Sequence, residues 1–169
     1  MKYSPKVIKS RYKLVPRTLI LIEKDQQILL IKKEKKNSFG FEKLNGIGGH
    51  IEKGEEPFES AKREILEETG LFVRRLELVA MIFIDIGIDP GILLFVFKGK
   101  YPGGKLFESI EGRLIWMEKE ILKDSDDIVK DLPFLLDISN KHISGAPPLI
   151  AKYLYDENEE LRIVINSFD

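Results

Sequence analysis

The chain has 169 residues, of which 43% are hydrophobic and 33% are charged, with a formal net charge of −1 and no cysteine. This length and composition suit one globular domain over residues 1–169, whereas the near-zero charge argues against a nucleic-acid polymer or a membrane surface as a partner. The lack of cysteine excludes disulfides and thiolate chemistry, and without a signal-like or membrane-spanning apolar run we expect a cytoplasmic protein.

The first half of the chain predicts a strand hairpin, a glycine-rich segment and a helix. Residues 17–23 form a continuous apolar run typical of a buried strand, and after a short turn residues 27–31 form a second strand. Residues 45–52 contain three glycines followed by an apolar–polar alternation, which predicts a short strand. A helix should follow, because Pro57 suits a first helical turn and Gly70 suits a left-handed C-terminal cap.

The second half predicts five further strands and one helix. The strands are expected at 73–85, 92–98, 112–118, 149–155 and 160–166, and the helix at 131–141. Trp116 alternates with Leu114 in its strand, so we expect it in the core rather than as a platform for a base. The last two strands should form a hairpin around residues 156–158. Strands interleaved with two helices predict an α/β fold with a mixed sheet.

The helix after Pro57 has an apolar face and an acidic face. The apolar face, which should be buried, is formed by Phe58, Ala61 and Ile65. The acidic face holds, at positions i, i+3 and i+4, Glu64, Glu67 and Glu68. Carboxylates this close repel one another, and a hard divalent cation such as Mg²⁺ would relieve the repulsion. The alternative is a solvated acidic face, which is the common use of a glutamate run.

The stretch GHIEKGEEPFESAKREILEETGL resembles the Nudix box, the signature of the Nudix hydrolases. It fits G-x5-E-x7-R-E-U-x-E-E-x-G-U, with U apolar, at Gly49, Glu55, Arg63, Glu64, Ile65, Glu67, Glu68, Gly70 and Leu71. The resemblance implies a Nudix fold, an α/β/α sandwich with a mixed β-sheet. It also implies a hydrolase whose substrates contain a nucleoside diphosphate linked to a further group.

The same resemblance assigns roles inside the box. It implies that the metal ligands include Glu64, Glu67, Glu68 and the backbone carbonyl of Gly49 or its neighbour Gly48. Mg²⁺ is the expected ion, with Mn²⁺ as the alternative, and Glu67 is the candidate general base. Arg63 should act in catalysis by orienting the glutamates through bidentate hydrogen bonds. Glu55 is either a supporting carboxylate or an acid favoured by the helix N-terminus.

Segments outside the box resemble the nucleoside triphosphate branch of the family, which includes 8-oxo-dGTP diphosphatase. They are Phe39-Gly40, Asn45-Gly46, Gly48-Gly49, Glu108-x-x-Glu111-x-Arg113-x-x-Trp116 and Asp131-x-x-Phe134-Leu135. The resemblance implies that Glu108 approaches the metal ions from a loop, although a surface turn is the alternative. It further implies that Phe39 packs against the base of the substrate.

Three more residues are candidates for substrate binding. Asn45 matches an asparagine that contacts the base in oxidised-purine enzymes, and the alternative is a left-handed turn residue. Asp131 matches one of two adjacent acids of the base pocket, and the alternative is a helix N-cap. Lys130 and Ile128 depart from the acid and the aromatic residue of that pocket. His50 is a candidate phosphate contact or an exposed strand residue.

We therefore expect a Mg²⁺-dependent Nudix pyrophosphohydrolase that acts on a small-molecule nucleotide. It would cleave nucleoside triphosphates, with 8-oxo-dGTP as a candidate, to a nucleoside monophosphate and pyrophosphate. Two alternatives stay open: a hydrolase of ADP-ribose or a dinucleotide polyphosphate, and a nucleotide-sensing module that binds without cleaving. All the box glutamates are present, which favours hydrolysis. The oligomeric state, base preference and number of metal ions are not determined by these patterns.

Overall fold

The computed structural model describes residues 12–33, 42–85, 87, 89–107, 112–155 and 160–165. Within these ranges the chain forms eight strands, two α-helices and a 3-10 helix at Ile121–Asp124. In chain order the strands and α-helices are β1 (Leu14–Lys24), β2 (Gln27–Lys33), β3 (Leu44–Asn45), α1 (Pro57–Thr69), β4 (Leu76–Asp85), β5 (Gly91–Lys100), β6 (Gly112–Glu118), α2 (Leu132–Lys141), β7 (Leu149–Tyr155) and β8 (Leu161–Ile165). Neither of these described α-helices is long and apolar enough to cross a membrane.

The described strands all join one mixed sheet. Their hydrogen-bonded order is β3-β2-β1-β5-β4-β7-β8, and β6 pairs with β2. The β1–β5 and β4–β7 pairs are parallel, whereas the other pairs are antiparallel. The mixed sheet predicted from the order of strands and helices is confirmed.

In the described part of the chain, α1 and α2 lie on opposite faces of the sheet. Successive residues of β1 point to opposite faces, so β1 contributes to the packing on both. One buried cluster includes, from β1 and α1, Ile20, Ile22, Ala61 and Ile65. The other includes, from β1 and α2, Leu19, Leu21, Leu132 and Leu135. The continuous apolar run of β1 follows from this burial on both faces. The architecture is therefore the expected α/β/α sandwich.

Helix α1 begins and ends where the local sequence predicts. Pro57 is its first residue, and the Glu56 side chain accepts hydrogen bonds from two backbone N–H groups of the first turn. Glu59 returns a hydrogen bond to the Glu56 N–H at 3.0 Å, which completes a capping box. Gly70 ends the helix in the left-handed region with φ 72°, and a side chain there would collide with the ring of Phe107.

Phe58 corrects the predicted apolar face of α1. Ala61 and Ile65 are fully buried, but Phe58 is 37% exposed. Its ring meets the ring of Phe97 in a T-shaped contact with the centroids 4.8 Å apart. Phe58 lies in the first turn of the helix, so one side of its ring contacts the sheet while the other side faces solvent.

The segment after β3 also differs from the prediction. β3 covers only Leu44–Asn45 rather than a strand that continues to residue 52. The following residues stay beside β1 through isolated bridges, one of which joins Arg17 to His50. Gly48 has φ 145° and lies so close to β1 that a side chain would collide with the carbonyl oxygen of Thr18. Regular pairing breaks at this close approach, and a loop replaces the predicted strand.

The remaining boundaries lie within three residues of the predictions. β6 and β7 have the predicted bounds. β4 begins at Leu76, and α2 begins at Leu132 with Asp131 at its capping position. The turn expected at 156–158 lies outside the described residues.

Candidate active site

The acidic face of α1 consists of two buried carboxylates and one exposed carboxylate. Glu64 and Glu68 are 8% and 1% exposed, whereas the side chain of Glu67 is 58% exposed. The two buried residues are one helical turn apart and lie against residues 46–49, which we call the glycine loop. The alternative of a solvated acidic face therefore holds only for Glu67.

The two consecutive glycines bring the backbone of the glycine loop into contact with both buried carboxylates. The N–H of Gly48 donates to Glu68 Oε2 at 2.9 Å. A Cβ added at Gly49 would lie 2.5 Å from Glu64 Oε1, so only glycine allows this approach. The Gly49 carbonyl accepts a hydrogen bond from the N–H of Thr18 at 2.9 Å, and a carbonyl oxygen has a second lone pair for a ligand.

Arg63 connects the carboxylates of this region. Its Nη1 donates to Glu64 Oε1 at 2.9 Å and to Glu67 Oε2 at 3.0 Å. Its other nitrogens form a bidentate pair with Glu55, and Nη2 also donates to the carbonyl of His50 at 3.0 Å. Hydrogen bonds from Arg63 lower the pKa of Glu55 to about 2, and the same hydrogen bonds raise the pKa of Arg63. Arg63 thus fixes the positions of two box glutamates relative to the loop before α1.

The donor atoms of this face fit a hard divalent cation. Glu64, Glu68 and the Gly49 carbonyl offer only oxygen, which Mg²⁺ and Mn²⁺ prefer. Glu67 is turned to Arg63, and in the described part of the chain no three acidic, histidine or cysteine side chains are arranged to hold a metal ion. The glycine loop therefore lies against Glu64 and Glu68, while Arg63 bonds to both Glu64 and Glu67.

A cavity opens on the opposite face of the sheet, beside the N-terminus of α2. The residues lining it include Arg17, Leu19, Asn45, Ile92, Leu94 and Asp131. Leu19 and Leu94 belong to the buried cluster on the α2 side of the sheet. Gly48 lines the cavity as well, so the glycine loop borders both the cavity and the buried carboxylates.

Asn45 and Asp131 both lie on the cavity wall, and neither has its alternative structural role. Asn45 is a β3 residue whose Oδ1 accepts from the N–H of Gly46 at 2.8 Å. The described non-glycine residues with positive φ are Asp25 and Glu42, so the left-handed turn at Asn45 is wrong. Asp131 occupies the N-cap position of α2, but its side chain makes no capping hydrogen bond. Burial raises the pKa of Asp131, which favours its protonated form.

Arg17 is a site residue that the sequence patterns did not single out. This β1 residue forms an isolated antiparallel bridge with His50, and it lines the cavity. Burial lowers the pKa of Arg17, whereas the charges of Glu64 and Glu68 raise it. Its guanidinium therefore lies within electrostatic reach of both buried carboxylates. One feature of the sequence could have identified Arg17: it is a charged residue at the start of a predicted buried strand. A charge that is removed from water needs partners.

Residues 13–132 match the family model of the NUDIX domain. The chain belongs to the Nudix family. This Nudix hydrolase is 33% identical over 154 residues to the oxidized purine nucleoside triphosphate hydrolase of Danio rerio, covering 85% of this chain and 96% of that protein. The protein of the same name from Mus musculus is 34% identical over 110 residues, covering 64% of this chain and 69% of that protein. The crystal structure of a MutT mutator protein from Bacillus halodurans matches with a TM-score of 0.67 at 27% identity, covering 89% and 97% of the two chains.

The other predicted site residues of this Nudix hydrolase have different surroundings. Phe39 and Glu108 lie outside the described residues. His50 is an exposed residue beside the glycine loop. Trp116 packs against the buried cluster on the α1 side, with its ring centroid 5.2 Å from that of Tyr101. The prediction that Trp116 belongs to the core is confirmed.

Proposed function

We propose that this Nudix hydrolase uses Mg²⁺ or Mn²⁺ to cleave nucleoside triphosphates, 8-oxo-dGTP among them, into a nucleoside monophosphate and pyrophosphate. The observation that carries the proposal is the glycine loop, which borders buried Glu64 and Glu68 on one side and the cavity of Asn45 and Asp131 on the other. A nucleotide needs two such adjoining sites, one for its phosphates and one for its base. The printed names of the zebrafish and mouse relatives support the same substrate class.

The carboxylates and the glycine loop would form the phosphate end of the site. The proposed cation ligands are Glu64, Glu67, Glu68 and the Gly49 carbonyl. A bound cation would neutralise phosphate charge and lower the pKa of a water molecule. Arg63 is a positioning residue, because its bidentate pair with Glu55 fixes the guanidinium that holds Glu64 and Glu67.

Hydrolysis exchanges one P–O bond for another. The water oxygen bonds to the α- or the β-phosphorus, and the P–O bond from that phosphorus to the bridging oxygen breaks. The leaving group takes the electron pair, and it is pyrophosphate for attack at the α-phosphorus and the nucleoside monophosphate for attack at the β-phosphorus. The water proton passes to a carboxylate, for which Glu67 is our candidate because it is exposed and held beside Glu64 by Arg63. The family resemblance adds Glu108 near the cation, Phe39 near the base and His50 near the phosphates.

A panel of nucleotides with Mg²⁺ tests this function. The panel contains 8-oxo-dGTP, dGTP, dATP, dCTP, ADP-ribose and a dinucleotide polyphosphate, with pyrophosphate and phosphate measured separately. We expect pyrophosphate from the triphosphates and loss of turnover on chelation. Turnover restricted to ADP-ribose or the dinucleotide polyphosphate would establish the alternative hydrolase. Nucleotide binding without any turnover would establish a sensing module.

A further inference from the structure

Arg17 lies at the boundary between the cavity and the buried carboxylates. Its backbone is fixed there by its neighbours, since the N–H of Thr18 donates to the Gly49 carbonyl at 2.9 Å. Arg17 itself forms an antiparallel bridge with His50. The same glycine that contacts the Glu64 carboxylate is thus bonded to the residue next to Arg17.

The side chain of Arg17 lies on the cavity face of β1. Side chains alternate along a strand, so Arg17 shares its face with Leu19. Leu19 packs in the buried cluster on the α2 side, and both residues line the cavity. Arg17 is half-buried, so its side chain is partly removed from water.

The buried carboxylates act on this same guanidinium. Burial lowers the pKa of Arg17, and the charges of Glu64 and Glu68 oppose that effect. Arg17 thus lines the cavity, and the residue next to it is bonded to the glycine that contacts Glu64. In a nucleotide, the group between the base and the outer phosphates is the sugar with its attached phosphate.

A guanidinium is well suited to that phosphate. Its planar fork donates two parallel hydrogen bonds to phosphate oxygens, and it stays charged when it is partly removed from water. A role as counter-ion of Glu64 and Glu68 alone would explain the charge of Arg17 but not its place on the cavity wall. A contact to the base alone would explain why Arg17 lines the cavity wall, but it would not explain why Arg17 lies near Glu64 and Glu68.

We propose that Arg17 binds the phosphate attached to the sugar of the substrate and keeps that contact in the nucleoside monophosphate product. This inference rests on the proposed function, because it requires a nucleotide to lie across the glycine loop. Arg17 would then select nucleotides over nucleosides, whereas the base would be selected by other residues of the cavity.

Equilibrium binding of the product class tests the assignment without turnover. The affinities of dGMP and deoxyguanosine, with Mg²⁺ present, are measured by calorimetry for the wild type, R17Q, R17K and R74Q. R17Q should weaken dGMP binding on the order of 10- to 100-fold and deoxyguanosine binding by less than about 3-fold, since a charge-assisted bidentate contact is lost. R17K should be intermediate, because an ammonium keeps the charge without the fork. R74Q removes an exposed arginine and should match the wild type.

Three results would overturn the proposal. Equal losses for dGMP and deoxyguanosine would assign Arg17 to the base. Unchanged affinities for both, together with tighter Mg²⁺ binding by R17Q, would make Arg17 a counter-ion of Glu64 and Glu68 only. If the wild type binds neither dGMP nor deoxyguanosine, the site does not bind a nucleotide and the proposal is wrong. If R17Q does not fold, R17K decides the question: a loss of several-fold for dGMP alone is expected, and wild-type affinity would contradict the assignment.

The two proposals fail separately. Hydrolysis of the nucleotide panel without a selective dGMP loss in R17Q would refute the role of Arg17 and leave the proposed function standing. A selective dGMP loss in a protein that cleaves no nucleotide of the panel would support Arg17 as a phosphate contact and refute the hydrolysis.

Discussion

Arg63 Nε lies 2.6 Å from Glu55 Oε1, and Arg63 Nη2 lies 3.1 Å from Glu55 Oε2, in a bidentate ion pair. The pair joins the loop before α1 to the middle of the helix, and the same guanidinium holds Glu64. Glu55 is therefore a partner of Arg63 and not merely an acid at a helix N-terminus. The carboxylate that the sequence places outside the helix contributes to the geometry of the carboxylates on it.

Glu55→Gln should destabilise the protein at neutral pH and have little effect in acid. Hydrogen bonds from Arg63 lower the pKa of Glu55 from 4.5 to about 2. Because the folded-state pKa is depressed, the stabilisation is present above pH 4.5 and is lost as the pH falls toward 2. Thermal unfolding of both proteins between pH 2 and pH 7 should show a Tm difference that shrinks across that interval. Glu120→Gln, at an exposed residue, is the control, and a pH-independent difference for Glu55→Gln would contradict the ion pair.

Glu67→Gln should abolish most turnover and leave the fold intact. It removes one charge from the proposed cation site, where losses of several kcal/mol correspond to a fall in kcat on the order of 10³-fold. The Glu67 side chain is 58% exposed, so the free energy of unfolding should change by less than about 0.5 kcal/mol. Glu64→Gln and Glu68→Gln should lower both kcat and Tm, since these residues are buried against the glycine loop. Near-normal kcat in all three variants at saturating Mg²⁺ would rule out the cation site.

Gly49→Ala should reduce turnover by displacing a carboxylate. The added Cβ would lie 2.5 Å from Glu64 Oε1, so Glu64 must move. A displacement of about 1 Å in a catalytic group costs on the order of 10²-fold in rate. Gly54→Ala is the matched control, because it introduces a Cβ at φ 97° with no atom within 4 Å and should lower only Tm. Wild-type kcat and Mg²⁺ affinity in Gly49→Ala would show that the position of Glu64 is immaterial to the reaction.

Asn45→Ala and Asp131→Asn should change base selection more than chemistry. Both residues line the cavity, and an unpaired polar base edge costs about 1–3 kcal/mol in kcat/KM. Burial raises the pKa of Asp131, so a protonated carboxyl can donate where an ionised one cannot. The measurement is kcat/KM for 8-oxo-dGTP, dGTP, dATP and dCTP. We expect modest discrimination, because Lys130 stands where the resemblance expects a second acid, and equal losses on all four would place the base elsewhere.

The sequence by itself determined the helix that carries the box and most of the strands. Pro57 and Gly70 mark its ends because both act through the backbone within one helical turn. β6 and β7 have their predicted bounds because period-two patterning is also local. Ala61 and Ile65 are buried as predicted, because residues at helical spacing share one face of the helix.

Only the tertiary structure decided which carboxylates are buried and what surrounds them. Glu64, Glu67 and Glu68 are equivalent in helical spacing, yet the glycine loop covers the first and third while Glu67 remains exposed. Arg17 is far from them in the chain and close in space, because β1 pairs with the loop that precedes α1. Burial, desolvation and electrostatic interaction depend on packing between distant segments, and neither spacing along one segment nor residue type contains that information.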